Sequence, residues 1–195
     1  KLDNSKKSGI RELLKNKVFL FGVIAQFFYV GAQTGINSFF INYVIEFDPS
    51  ILPRYAALIL SIGGMGLFML GRMLGSFIMK RIKPAKLLKI MAILAVVSIV
   101  IVICSLGYLS LIALLLTYLF MSIMFPTIFA LSISNLGDNA EQGSSLLVMS
   151  IVGGAIVPPL MGFIGENTIA LGFLIPLLCF IVVYCFARYV IKKGC

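Results

Sequence analysis

The chain has 195 residues, 61% of them hydrophobic and 12% charged, with a mean hydropathy of +1.10; a water-soluble domain runs at roughly 45–50% apolar and about 25% charged. Its formal charge of +9 does not indicate nucleic acid, because the basic residues stand between apolar runs, as membrane topology signals do. There is no histidine, which removes the commonest metal ligand and neutral-pH acid or base, and no paired carboxyls or G-x-S-x-G elbow place a nucleophile beside a base. An enzyme, a metal site and a cofactor are therefore not expected.

Residues 1–17 are polar and carry Lys1, Lys6, Lys7, Arg11, Lys15 and Lys17. They read as a cytoplasmic linker, and an opening on Lys1 without a signal-peptide pattern suggests a piece of a longer protein. The first apolar run, Val18 to Ile45, is long enough to cross a bilayer. Taking Gln26 as zero and turning about 100° per residue, Tyr29, Gln33 and Asn37 fall at roughly 300°, 340° and 20°, one narrow polar stripe. In lipid such a stripe must face protein or water. It serves either as glue between helices or as a wall for a hydroxyl-rich ligand, since amides both donate and accept. Gly31 and Gly35 are expected to interrupt this helix, as happens beside transporter substrate sites.

The second run, Tyr55 to Met79, is rich in glycine and includes Gly71-x-x-x-Gly75, a pattern for close helix packing. Arg72 is placed near its cytoplasmic end, either snorkelling to the interface or acting as a gate that pairs with carbonyls or an acid. A basic loop follows, with Lys80, Arg81, Lys83, Lys86 and Lys89. The third and fourth runs are Leu87 to Leu106 and Leu109 to Leu131. In the fourth, Tyr118, Ser122, Phe125 and Phe129 share a face, and Pro126 is expected to kink the helix beside them. The aromatic face suits packing, and it also suits stacking on a sugar.

After a loop holding Asp138 and Glu141 come the fifth and sixth runs, Ser145 to Ile164 and Ile169 to Ile191, and a tail, 192–195, with Lys192 and Lys193. Cys104, Cys179, Cys185 and Cys195 lack metal-ligand spacing, and no disulfide is expected. Only helices or closed barrels satisfy their backbone in lipid, and these segments are too long and too uniformly apolar for barrel strands. The fold class is an all-α integral membrane bundle of six transmembrane helices over 18–191. Basic residues at both termini and in the 80–89 loop put those ends in the cytoplasm. Asp3, Glu12, Glu46, Asp48, Asp138, Glu141 and Glu166 all lie in tails, loops or helix ends, so no carboxyl at membrane depth is available to carry a proton.

Three stretches, Ala25 to Gln33, Met121 to Leu131 and Ile151 to Gly162, with Gly71 to Arg81 between them, resemble the L-fucose:proton symporter family of the major facilitator superfamily, in the order and spacing of its seventh, tenth, eleventh and eighth helices. The resemblance runs from about Ile10 onward. It implies half of a major facilitator fold, the carboxyl-terminal half, working by alternating access with an absent amino-terminal six-helix half that holds the proton-coupling acids. It also implies that the first and fourth helices line the cavity. The sugar-binding candidates are then Gln26, Tyr29, Gln33, Asn37, Phe120 and Met124, with Arg72 as the gating candidate. The partners implied are a small sugar, a proton and the lipid bilayer, with no nucleic acid, in a bacterial inner membrane. Glucose/galactose permeases of the same family carry an acid where Gln33 stands, so the amide favours fucose. A six-helix homodimeric channel or carrier is the alternative outside the family.

Overall fold

The computed structural model describes residues 13, 15–134 and 136–194, excluding the side chain of Asp138. Most of the expected 1–17 linker, with Lys1, Asp3, Lys6, Lys7, Arg11 and Glu12, lies outside the described residues, as does Cys195. Cys104, Cys179 and Cys185 are free thiols.

Among the described residues six helices are long and apolar enough to cross a membrane: α1 (Lys17–Phe47), α2 (Pro53–Met79), α3 (Pro84–Ile103), α4 (Tyr108–Ile133), α5 (Ala140–Ile164) and α6 (Ile169–Lys193). Every regular element among the described residues is helical. The ends follow local chemistry. Asn16 Oδ1 accepts from Val18 and Phe19 N–H at 3.1 and 3.2 Å, capping α1. Pro53 and Pro84 open α2 and α3, where a missing N–H costs nothing. Between α3 and α4 the chain reverses through Ser105 and Gly107 at φ 49° and 67°. The Ser110 hydroxyl closes this turn, donating to Ile101 C=O at 2.8 Å and accepting from Leu106 N–H at 2.7 Å. Gly194, at φ 78°, ends α6. The helix α5 begins at Ala140 rather than Ser145, because a polar Ala-Glu-Gln-Gly-Ser turn carries the helix beyond its apolar run.

Helix α1 packs on α4, α5 and α6; α3 packs on α4 and α6; α2 lies mainly on α4. Contacts between Tyr29 and Met121 and between Gly22 and Ser132 set α1 antiparallel to α4. With alternating directions, the end holding Lys17, Lys80 to Lys89 and Lys192 carries nearly all the positive charge. At the other end, the Glu46 carboxylate accepts from Ile169 N–H through both oxygens at 3.1 Å, tying the finish of α1 to the start of α6.

One expectation is corrected. The helix α1 is continuous from Lys17 to Phe47, so Gly31 and Gly35 do not interrupt it. Each instead lets α5 approach: a Cβ on Gly31 would run into Val157, and one on Gly35 into Met161. The irregular backbone lies in the other helices. The helix α2 has a π-helical stretch, Ile59–Gly64, α4 opens at Ser122 and Ile123, and α5 passes through a 3₁₀ turn, Ser150–Val152.

Candidate functional site

The helix α1 presents a polar seam toward α4. Again taking Gln26 as zero, the α5 contacts at Gly31 and Gly35 fall at roughly 140° and 180°, and the α4 contacts at Tyr29 and Phe40 at roughly 300° and 320°. The arc between them, bordering α4, holds Gln33, Thr34, Asn37 and Ile41, all half-buried, with Gln26 buried beneath. With a rise of about 1.5 Å per residue, Gln33 stands near the middle of α1, and hence at mid-membrane depth.

Buried polar atoms without a hydrogen-bond partner concentrate here. They are both amide atoms of Gln26, Oδ1 of Asn37 and the hydroxyl of Tyr118; the remaining one among the described residues is Gln142 Oε1, at the α5 end. Tyr118 packs edge-on against Phe40, with ring centroids 5.9 Å apart, one helical turn from Asn37. A buried donor or acceptor without a partner costs about 1–3 kcal/mol. Gln26 and Tyr118 are fully buried, so of the three only the half-buried Asn37 stands where a bound solute can supply the missing partner.

The opposing wall is the break in α4. Pro126 has no N–H to give the carbonyl of Ser122 four residues earlier. The helix α4 therefore stops at Met121 and resumes at Met124, one turn before the proline and beside Tyr118, Ser122 and Phe125, as expected. Two side chains take up the carbonyls freed at the break. The Tyr29 hydroxyl donates to Met121 C=O at 2.9 Å, and Arg72 Nε donates to Ser122 C=O at 3.2 Å. Gly71 and Gly75 let α2 come close enough, since a Cβ on either would strike Ser122 or Ile123. The Gly-x-x-x-Gly thus packs α2 against the break. Arg72 also lies over the Phe68 ring at 5.0 Å. It stands level with the α4 break rather than near the end of α2, and among the described residues no acid pairs with it.

The sequence-derived candidates divide accordingly. Gln33, Asn37 and Phe120 keep exposed surface, while Gln26, Tyr29 and Met124 have none. The expected aromatic face of α4 is split by the break. Tyr118 and Ser122 are buried, and Phe125 and Phe129 stack at 6.4 Å on the part-exposed side, with Tyr29 6.3 Å from Phe125. That Arg72 could pair with carbonyls was read from the sequence; that it takes the Ser122 carbonyl and that Tyr29 takes that of Met121 was not, although the signal was present: a proline at 126 frees the carbonyl at 122. A groove of about 380 Å³ between α1 and α5 is lined by Phe19, Ile24, Phe27, Leu146 and Met149. It is almost wholly apolar and offers a hydroxyl-rich solute nothing to bond.

Six antiparallel helices with a polar mid-membrane seam between the first and a broken fourth define a membrane-transporter half-bundle. The family model described as Organic Anion Transporter Polypeptide (OATP) family matches residues 7–115. That is more than half of the chain and places it among the transporters this family model describes, but the match stops inside α4. Two other relatives match through all six helices. The L-fucose-proton symporter of Escherichia coli is 41% identical over 93% of this chain and 42% of its own length. A putative glucose/galactose transporter of Helicobacter pylori is 35% identical over 93% of this chain and 46% of its own. The crystal structure of the E. coli fucose:proton symporter FucP superposes with a TM-score of 0.92 at 41% identity, covering 94% of this chain and 45% of that one. A second structure, of FucP as a Major Facilitator Superfamily transporter in the outward conformation, superposes equally well. The chain belongs to the L-fucose-proton symporter family of the major facilitator superfamily, and it spans about half the length of the relatives it matches.

Proposed function

We propose that this chain forms the carboxyl-terminal half of a sugar:proton symporter, with the α1–α4 seam as one wall of the sugar pathway and L-fucose as the substrate. One observation carries the reading: Gln33 and Asn37 stand half-buried on the arc of α1 that borders α4, and the Asn37 side-chain oxygen there has no hydrogen-bond partner. A sugar hydroxyl ring supplies the alternating donors and acceptors that such amides lack. Gln33, Asn37 and Phe120 touch the sugar, the first two by hydrogen bonds and the third by stacking. Gln26, Tyr29 and Met124 support them from behind.

Alternating access is rocking of this bundle against an amino-terminal half around the bound sugar. Arg72 acts as the gate by holding or releasing the Ser122 carbonyl as the α4 break opens and closes. The proton travels on carboxyls of the other half, because every acid among the described residues lies at a helix end or in a loop. Its basic end faces the cytoplasm of a bacterial inner membrane, with both termini on that side. The glucose/galactose relatives favour a second reading, a hexose in place of L-fucose. Uptake of radiolabelled L-fucose, glucose and galactose by cells expressing the full-length gene, with and without a protonophore, tests both. The account expects L-fucose uptake that collapses with the proton gradient. Uptake of a non-sugar, or indifference to the gradient, contradicts it.

A further inference from the structure

Helices α3 and α6 run antiparallel on the side of the bundle away from the seam, and each lines up one face. On α3, Lys86, Lys89, Ile93 and Val96 recur at i, i+3, i+7 and i+10. On α6, Ile181, Tyr184, Arg188 and Lys192 recur at i, i+3, i+7 and i+11. Where the faces meet they enclose a groove of about 280 Å³ lined by Ile93, Val96, Ile181 and Tyr184. Lys89 Nζ stands 5.9 Å from the centre of the Tyr184 ring, at the upper lip of that groove. Lys86, Arg188 and Lys192 are exposed farther along the same two faces, toward the basic end, and among the described residues no acid pairs with any of the four.

Snorkelling and topology account for basic residues at a helix end. They do not account for four cations that continue, toward the basic end, the same faces of two packed helices that enclose an apolar groove, with Lys89 against the phenol at its boundary. From Lys192 to Ile181 is about 16 Å along the helix, the distance from a lipid phosphate into its acyl chains. Basic pockets between transmembrane helices select anionic headgroups, because a neutral zwitterion carries its own counter-charge.

We infer that α3 and α6 form a binding site for an anionic phospholipid of the leaflet on the basic side. Its phosphate sits among Lys86, Lys89, Arg188 and Lys192, and one acyl chain lies in the groove of Ile93, Val96 and Ile181. The inference does not depend on which solute the seam carries.

Native mass spectrometry of the full-length protein in dodecylmaltoside, titrated with phosphatidylglycerol or phosphatidylcholine, tests it. The wild type should retain phosphatidylglycerol in preference to phosphatidylcholine. Lys89→Gln with Arg188→Gln should weaken that binding about 30-fold, as should Lys86→Gln with Lys192→Gln. Ile93→Trp, which fills the groove and keeps every cation, should also weaken it. Lys80→Gln with Arg81→Gln, the same charge removed from outside the groove, should leave it within about threefold. Equal loss in the Lys80/Arg81 pair would show general surface attraction and overturn the site. So would unchanged binding in the paired groove variants or in Ile93→Trp, or equal retention of the two lipids. A melting curve for each variant separates loss of the lipid from loss of the fold.

Discussion

Within the polar stripe of α1, Asn37 and Gln33 differ from Gln26 and Tyr29 in keeping exposed surface, and Asn37 also has a buried oxygen without a partner. A neutral hydrogen bond is worth about 0.5–1.5 kcal/mol net. Asn37→Ala or Gln33→Ala in the full-length protein should therefore weaken equilibrium L-fucose binding about three- to tenfold while leaving the melting temperature within about 2 °C. Unchanged affinity would mean the side chains only glue helices together. The stripe itself was legible in the sequence, because four polar residues at helical spacing stand out against a lipid-compatible background. What spacing could not separate is Tyr29 from its neighbours. Its hydroxyl is spent on a carbonyl ninety-two residues away, a pairing that depends on α4 breaking at the right height. Arg72 was similarly misplaced in depth, because distance along α2 does not say which turn of α4 it meets.

At the scale of the element, the α4 break is held by three residues from three helices. Pro126 withholds a backbone donor, Tyr29 takes the carbonyl of Met121 and Arg72 takes that of Ser122. Tyr29→Phe removes one donor and leaves its acceptor buried, a cost of about 1–3 kcal/mol. It should lower the melting temperature by a few degrees with little change in sugar affinity. Pro126→Ala restores an N–H that competes with Arg72 for Ser122. The helix should then close, and transport should slow at least tenfold while binding stays within about threefold. Binding that falls in step with transport would show that the break serves the site rather than its motion. The sequence located the helices well, because about 20 apolar residues are needed to cross a bilayer. Their irregularities were less legible. Gly31 and Gly35 suggested an interruption, yet their missing side chains serve to seat α5. Pro126 pointed to a kink beside Tyr118, Ser122, Phe125 and Phe129, and the open turn lies there, at Ser122 and Ile123, where the carbonyls lose their donors.

At the scale of the whole molecule, the helices are unevenly enclosed. Only 11% of the membrane window of α2 and 28% of that of α5 is buried, against 56% for α1 and for α4. Ile62, Met69 and Phe77 on α2, and Met149, Val152 and Phe163 on α5, are largely exposed. Since α1 and α4 stand between these two helices and form the seam, a second bundle resting on α2 and α5 would enclose the seam from the open side. Co-expressing this half with its amino-terminal partner as separate chains should restore proton-dependent L-fucose uptake, and either half alone should give none. Uptake by this half alone would support the homodimeric carrier instead.

The most direct test of the sugar wall is thiol protection. In the full-length protein, with every native cysteine, Cys104, Cys179, Cys185 and Cys195 among them, replaced by serine, cysteine is placed at Asn37, at Gln33 or at Val97 on the outward face of α3, and maleimide labelling is timed with and without L-fucose. The account predicts that saturating sugar slows labelling at the first two positions at least fivefold and leaves Val97→Cys unchanged. Equal rates at Asn37→Cys and Gln33→Cys in the presence and absence of sugar would contradict it.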